Sequence, residues 1–262
     1  MLQHTHAAQA GPFPPADSGT FGGHVLPGSL FLLWAAFWIV ELWRDRGTRP
    51  PDAPFERSLV GIGLKIVLPL LGVFVEWPEP TWEPHNIVMN YQHAAMYGFF
   101  ALSGVVDLAW RRGLVPRGAT YLAFAAAALN GGALFLVHDA IGGVSKTVHA
   151  ILGGIFLAAA AGAVAEWLRP GRELHWLRLG AMLMLGAWFY QVAWLLYRSG
   201  YDLTDHAVQM RAHLLLSVQA IVVGAVLLAL RSALAWAEAS APTRVEARAG
   251  CGEALAAPEA SA

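Results

Sequence analysis

The sequence predicts an all-α protein, an integral membrane bundle of seven transmembrane helices. Hydrophobic residues make up 56% of the 262 residues and charged residues only 13%, a balance unlike that of an ordinary soluble domain. Seven apolar stretches each approach the roughly 20 residues that a helix needs to cross a bilayer. The segments between them are rich in Pro, Gly, Arg and Asp, which are typical of loops.

The seven predicted spans follow one another between residues 26 and 236. Each is much longer than a typical strand and lacks the alternation of a barrel wall, so helices are favoured over strands. The predicted spans are 26–43, 58–77, 87–110, 118–138, 147–167, 177–197 and 210–236. We expect a flexible N-terminal tail over 1–23, a transmembrane domain over 24–236 and a disordered C-terminal tail over 237–262.

The distribution of Lys and Arg predicts the orientation. Thirteen of the seventeen lie in loops 44–57, 111–117 and 168–178 or in the C-terminal segment, three lie on the opposite face, and Lys65 lies inside a span. Because loops rich in Lys and Arg stay in the cytosol, we expect the N-terminus outside and the C-terminus in the cytosol. The Ala- and Arg-rich loops indicate the cytoplasmic membrane of a bacterium.

Charge and cysteine content restrict the partners. The formal net charge of −1 provides no basic field for nucleic acid, so the expected partner is the lipid bilayer. The single cysteine, Cys251, excludes an intramolecular disulfide and a multi-cysteine metal site. Any metal ligands must therefore be His, Met or carboxylates.

Polar residues gather at the outer ends of the predicted spans. Alternating threading brings the starts of the odd spans and the ends of the even spans to one side, and of ten histidines only His175 belongs to the other. Polar groups are costly inside the bilayer when unpaired, so we expect them to face the bundle interior. The predicted layer contains His24, Glu76, Gln92, His93, His138, Asp139, His149, Gln191 and His213.

This layer predicts a transition-metal site, because imidazole with a carboxylate suits zinc, iron or copper. The candidate ligands are His24, Glu76, His93, His138, His149 and His213, and the candidate orienting groups are Gln92, Asp139 and Gln191. Met89 and Met96 share a helical face with His93, and Met210 shares one with His213. These thioethers would favour copper, particularly the cuprous ion. In the simpler interpretation, neutral histidines are hydrogen-bonded to their neighbours and hold helix ends together.

A second polar pair is predicted in the cytosolic half. Asp107 follows His93 by fourteen residues, which is about 21 Å along a helix. Lys65 lies seven residues into the second span from the same side, and its long stem allows it to approach that level. We therefore predict a Lys65–Asp107 ion pair, either structural or part of a proton or ion route.

Three other functions remain open from the residues. A zinc-dependent membrane hydrolase acting on lipids would use Glu76 or Asp139 as general base, although no matching zinc-ligand signature is present. A haem protein would take two of the histidines as axial ligands. A scaffold would use the layer for stability alone, and the proline-rich outer loop over 76–85 offers a lid or a protein docking surface.

Three sequence blocks carry a resemblance to a known family. They are "GHVLPGSLFLLW" over 23–34, "MNYQHAAMYGFFALSGVVDL" over 89–108 and "GAWFYQVAWLLY" over 186–197. Together with Lys65, Glu76 and the histidines they resemble the transmembrane protein 45 family, a eukaryote-rich group of polytopic membrane proteins without an established molecular activity. The histidine-rich loop usual in the family is reduced here to His138 and His149 at its edges. The resemblance implies a seven-helix membrane protein and supplies no reaction.

Overall fold

The computed structural model describes residues 20–45, 58–77, 84–137 and 143–240, with side chains from residue 88 onward in the third range. These ranges contain seven α-helices and no strand, as predicted from the sequence. The helices are α1 (Phe21–Arg44), α2 (Leu59–Val75), α3 (Pro84–Arg111), α4 (Gly118–Val137), α5 (Gly143–Leu168), α6 (Arg172–Tyr197) and α7 (His206–Ala239).

Most helices extend beyond the predicted apolar spans, because a helix does not end where the hydrocarbon ends. Side-chain caps set three of the starts: Thr20, Ser58 and Asp205 accept hydrogen bonds from the backbone N–H groups of the following first turn. Residues 21–23 and 237–239 are therefore helical rather than parts of the predicted tails. The rest of both tails, 1–19 and 241–262, lies outside the described residues.

Five of the seven helices are long and apolar enough to cross a membrane: α1, α4, α5, α6 and α7. Helix α2 is apolar, but its 17 residues correspond to about 26 Å, slightly less than the hydrocarbon thickness. Helix α3 has 28 residues and lower mean hydropathy than those five, since it carries Asn90, Gln92, His93 and Asp107. The prediction of seven spans is thus supported for five helices.

Contacts at the helix ends show an antiparallel order. Lys65 near the start of α2 meets Asp107 near the end of α3, while Glu76 and His93 join the opposite ends of the same two helices. Glu173 at the start of α6 likewise pairs with Arg231 near the end of α7. We call the end where α1, α3, α5 and α7 begin the outer end, after the predicted orientation, and the opposite end the inner end.

The core is aromatic and is built from five helices. Rings from α1, α3, α4, α5 and α6 contact one another at its centre: Phe31, Trp34, Phe100, Phe124, Phe156 and Phe189. Helix α7 lies at the edge, where only Val208, Ala212 and Gln219 are buried. The Gln219 side-chain amide donates to the Met184 carbonyl at 2.8 Å and so ties α7 to α6.

Candidate cation site and buried charged groups

A pair of buried histidines joins α1 to α5 at the outer end. The Nε2 atoms of His24 and His149 lie 3.3 Å apart, although 125 residues separate them in the chain. His24 is 6% exposed and His149 is 2% exposed. Two of the imidazoles expected to meet at this level therefore do so.

The backbone fixes the tautomer of each ring. The Nδ1 of His24 is 2.9 Å from the Thr20 carbonyl oxygen, and the Nδ1 of His149 is 2.8 Å from the Ser145 carbonyl oxygen. A carbonyl oxygen only accepts, so both Nδ1 atoms donate, and both Nε2 atoms of the neutral rings carry lone pairs. Two lone pairs facing each other at 3.3 Å repel, so this geometry suits a cation between them, either a shared proton or a metal ion.

Packing holds the two rings in place. The Phe135 ring stacks on His149 with centroids 5.9 Å apart, and the Tyr197 ring lies 5.4 Å from His24. The start of α5 is anchored by the loop before α7, because the backbone N–H of Val144 donates to the Leu203 carbonyl at 2.9 Å. The pair is thus enclosed by the ends of α4 and α6, in apolar surroundings that strengthen electrostatic interactions.

A second pair at the outer end joins α2 to α3. The Nδ1 of His93 lies 3.3 Å from the Glu76 carboxylate, with side chains 19% and 10% exposed. This is the carboxylate–imidazole contact expected from the sequence. It joins α2 to α3, whereas the contact between His24 and His149 joins α1 to α5.

The other predicted ligands do not complete one site. His213 is exposed on α7, with its Nδ1 3.0 Å from the Gln209 carbonyl of its own helix, and Met210 is 57% exposed nearby. Within the described residues no group of three or more His, Cys, Asp or Glu is arranged to hold a metal. At the outer end of these residues, one contact joins His24 to His149 and another joins Glu76 to His93, while His213 lies exposed on α7.

The remaining candidates lie on two helices, α3 and α6, and outside the described residues. Met89 and Met96 are buried in α3, with Met96 in the main core. Gln92 and Gln191 are half-buried on α3 and α6. His138 and Asp139 lie outside the described residues, as does most of the outer loop over 76–85.

The predicted ion pair between α2 and α3 is present in the inner half. The Lys65 ammonium lies 2.6 Å from the Asp107 carboxylate, and both side chains are almost fully buried. The rings of Trp34 and Phe124 approach the ammonium, with centroids 5.4 and 5.5 Å from Nζ. Carboxylate and aromatic faces together offset the cost of burying this charge.

A third buried group, Glu166 with His175 and Arg178, was not predicted. The Glu166 carboxylate lies 2.9 Å from His175 Nε2 and 3.1 Å from Arg178 Nε, and all three side chains are at most 2% exposed. The Arg178 guanidinium also lies over the rings of Trp38 and Phe124. Arg178 lies in a predicted loop, so no ion pair was expected for it. Its position twelve residues after Glu166, across a short turn, could have indicated an ion pair between α5 and α6.

Comparison with models of known protein families finds no match for this chain.

Proposed function

We propose that this chain is an integral membrane protein that binds a cuprous ion between His24 and His149 and serves in metal transport or delivery at the outer face. The observation that carries the proposal is the pair of facing Nε2 atoms, 3.3 Å apart, on rings whose Nδ1 atoms are already committed to carbonyls. Both imidazoles are thereby set to donate a lone pair to the same cation.

The number and setting of the ligands favour copper over zinc. Structural zinc takes four ligands and catalytic zinc at least three, whereas a cuprous ion accepts two imidazoles in a line. Its single positive charge also costs less to bury beside Phe135 and Tyr197 than a double charge does. Metal–nitrogen bonds of about 2.0 Å would require the two nitrogens to separate to about 4 Å, a small outward rotation of the rings.

The structural alternative is a single proton shared by the pair. A nitrogen–nitrogen distance of 3.3 Å fits such a hydrogen bond, which would hold α1 against α5 without binding any metal. In this scaffold interpretation, replacement of either histidine changes stability and nothing else. Measurement of metal binding separates the two interpretations.

The other proposals have less support from the geometry. A lipid hydrolase built on zinc would need a third ligand and a carboxylate beside the histidine pair, but Glu76 lies against His93. A haem would need a porphyrin plane between the two Nε2 atoms, and the rings of Phe135 and Tyr197 already pack beside the imidazoles. A bare ion fits this space better than either arrangement.

Three wider statements belong to the same proposal. The three resembling blocks support membership of the transmembrane protein 45 family, and His24 lies in the first of these blocks. The pairing of α2 with α3 at both ends supports their crossing of the bilayer together, which gives seven spans in all. The Ala- and Arg-rich loops favour a bacterial cytoplasmic membrane.

The test is metal binding by the purified full-length protein in detergent. After anaerobic incubation with cuprous ion and removal of the excess, we expect one copper per chain in the wild type and in His213→Ala, which alters an exposed histidine. We expect loss of copper in His24→Ala and His149→Ala. X-ray absorption of the copper-loaded wild type should show two nitrogen neighbours.

Two results would overturn the metal proposal. The first is a wild-type protein that retains no stoichiometric copper, which leaves the shared proton. The second is copper that persists in both His24→Ala and His149→Ala. If either variant fails to fold, the absorption spectrum of the wild type still decides whether two imidazoles hold the metal.

A further inference from the structure

The inner ends of α3, α4 and α5 form one surface. The turn over 112–117 joins α3 directly to α4. Trp167, near the end of α5, lies against the first residue of α4, because a methyl group added at Gly118 would come within 2.6 Å of the Trp167 indole nitrogen. We call residues 111–117 and 167–169, which this chain turn and this contact bring together, the inner basic surface.

This surface carries four positive charges and no negative one. Its two segments contain no Asp or Glu, and their arginines are Arg111, Arg112, Arg117 and Arg169. Arg112 and Arg169 are exposed. Glu166, the acidic residue that precedes the second segment, is buried and already holds His175 and Arg178. The inner basic surface therefore attracts anions.

The same surface presents apolar side chains that are unfavourable in water. Leu114 belongs to an ordered turn, since Gly113 adopts a φ of 73° and the backbone N–H of Leu114 donates to the Ala109 carbonyl at 2.9 Å. The Leu114 side chain is nevertheless 74% exposed, and Leu168 is 66% exposed. Trp167, of a residue type enriched at membrane interfaces, is 37% exposed next to Leu168. An anion that covers this surface fully therefore has an apolar part.

We propose that the inner basic surface binds an anionic phospholipid of the surrounding bilayer. Arg112 and Arg169 would hold the phosphate group, while Leu114 and Leu168 would contact the glycerol end of the acyl chains. The charges are complementary, because the predicted orientation places this surface at the cytosolic leaflet, which carries anionic lipids. A soluble phosphate would neutralise the arginines but leave both leucines in water. The inference concerns the inner end of the bundle and is independent of the metal proposed for the histidine pair.

The melting temperature of the full-length protein in an uncharged detergent tests this proposal, because a ligand that binds the folded state raises it. Dioleoylphosphatidylglycerol is added in increasing amounts, and dioleoylphosphatidylcholine serves as the zwitterionic lipid with the same chains. We expect phosphatidylglycerol to raise the melting temperature to a plateau and phosphatidylcholine to raise it far less. Arg112→Gln combined with Arg169→Gln should increase the half-saturating concentration of phosphatidylglycerol about 30-fold, since each arginine near an anionic lipid surface contributes about a factor of five.

A matched variant and a soluble anion provide the controls. Lys146→Gln combined with Arg211→Gln removes two exposed charges from the outer end and should leave the half-saturating concentration unchanged. Glycerol phosphate, which has a charged phosphate without acyl chains, should not raise the melting temperature over the same concentration range.

Three results would overturn the proposal. The first is a wild type that phosphatidylglycerol stabilises no more than phosphatidylcholine does. The second is equal stabilisation by glycerol phosphate, which would assign the surface to a soluble anion. The third is an equal response of the inner and outer double variants. The first two comparisons use the wild type alone, so they decide the matter even if a variant does not fold.

Discussion

Two buried carboxylates, Asp107 and Glu166, each neutralise a buried cation on a neighbouring helix. Asp107 holds Lys65 and Glu166 holds Arg178, and the four side chains are at most 2% exposed. Removal of one partner leaves an uncompensated charge in a low-dielectric interior, whereas removal of both leaves none. Single and double replacements therefore have different consequences for the free energy of unfolding.

Asp107→Asn should lower the free energy of unfolding by about 3–5 kcal/mol, because the Lys65 ammonium stays buried without its counter-ion. Replacement of both residues, as Lys65→Met with Asp107→Leu, should restore most of the loss. Thermal unfolding in detergent measures both variants. An Asp107→Asn protein as stable as the wild type would favour a proton or ion route over a structural pair.

Glu166→Gln should destabilise the protein by about 3 kcal/mol or more, since Arg178 loses its buried anion. Glu173→Gln is the matched control. It makes the same change opposite Arg231, but with both side chains more than half exposed, so the expected loss is below about 1 kcal/mol. Equal losses in the two variants would show that burial of the Glu166 group contributes nothing.

Helices α4 and α5 pack closely because each places a glycine against the other. A methyl group added at Gly153 would lie 3.1 Å from the Gly132 carbonyl oxygen and 2.9 Å from the Leu136 side chain. The next residue, Gly154, has open space around it. Adjacent glycines of one helix thus have opposite roles, which the sequence alone does not distinguish.

Gly153→Ala should lower the melting temperature, by an amount corresponding to about 1–3 kcal/mol, because the added methyl group forces α4 and α5 apart. Gly154→Ala should leave the melting temperature unchanged or raise it, since Ala is the better helix former by about 1 kcal/mol. The melting temperatures of the two variants are measured in the same detergent. A Gly153→Ala protein as stable as Gly154→Ala would contradict the close approach of the two backbones.

The sequence of helix α7 did not show how little of this helix is buried. Its 34 residues are helical and apolar as predicted, but only three of them are buried. Its inner half is held to α6 by surface ion pairs, Arg231–Glu173 and Arg172–Glu238. The position of this helix removes His213 from the site that its sequence depth suggested.

The whole molecule has a natural marker for its orientation, the single cysteine Cys251. If the C-terminus is cytosolic, an impermeant maleimide should label Cys251 only after cell lysis. In a Cys251→Ser background, Asp202→Cys in the loop before α7 should react in intact cells. Thr81→Cys, between α2 and α3, should also react in intact cells if these two helices cross the bilayer.

Each labelling outcome decides a separate point. Reaction of Cys251 in intact cells would reverse the predicted orientation. Reaction of Thr81→Cys only after lysis, with Asp202→Cys reactive from outside, would show that α2 and α3 do not cross. Neither result would alter the antiparallel order of the helices.

The sequence by itself determined the all-α class, the number of helices and the end of the bundle at which Lys65, Glu76, His93 and Asp107 lie. It did so because apolar length and loop chemistry are local properties, and because alternation fixes which helix ends share a level. The Lys65–Asp107 pair was predictable for the same reason, since only depth was needed to match two charges inside apolar spans.

Only the tertiary structure decided which polar groups meet at each level. His24 meets His149, Glu76 turns to His93, and Glu166 takes Arg178. The depth of a residue along its helix determines neither the rotation of that helix about its axis nor the helices that it contacts. Both depend on packing between whole surfaces, such as the close approach of α4 and α5. Partners on different helices therefore become known only when the helices are packed.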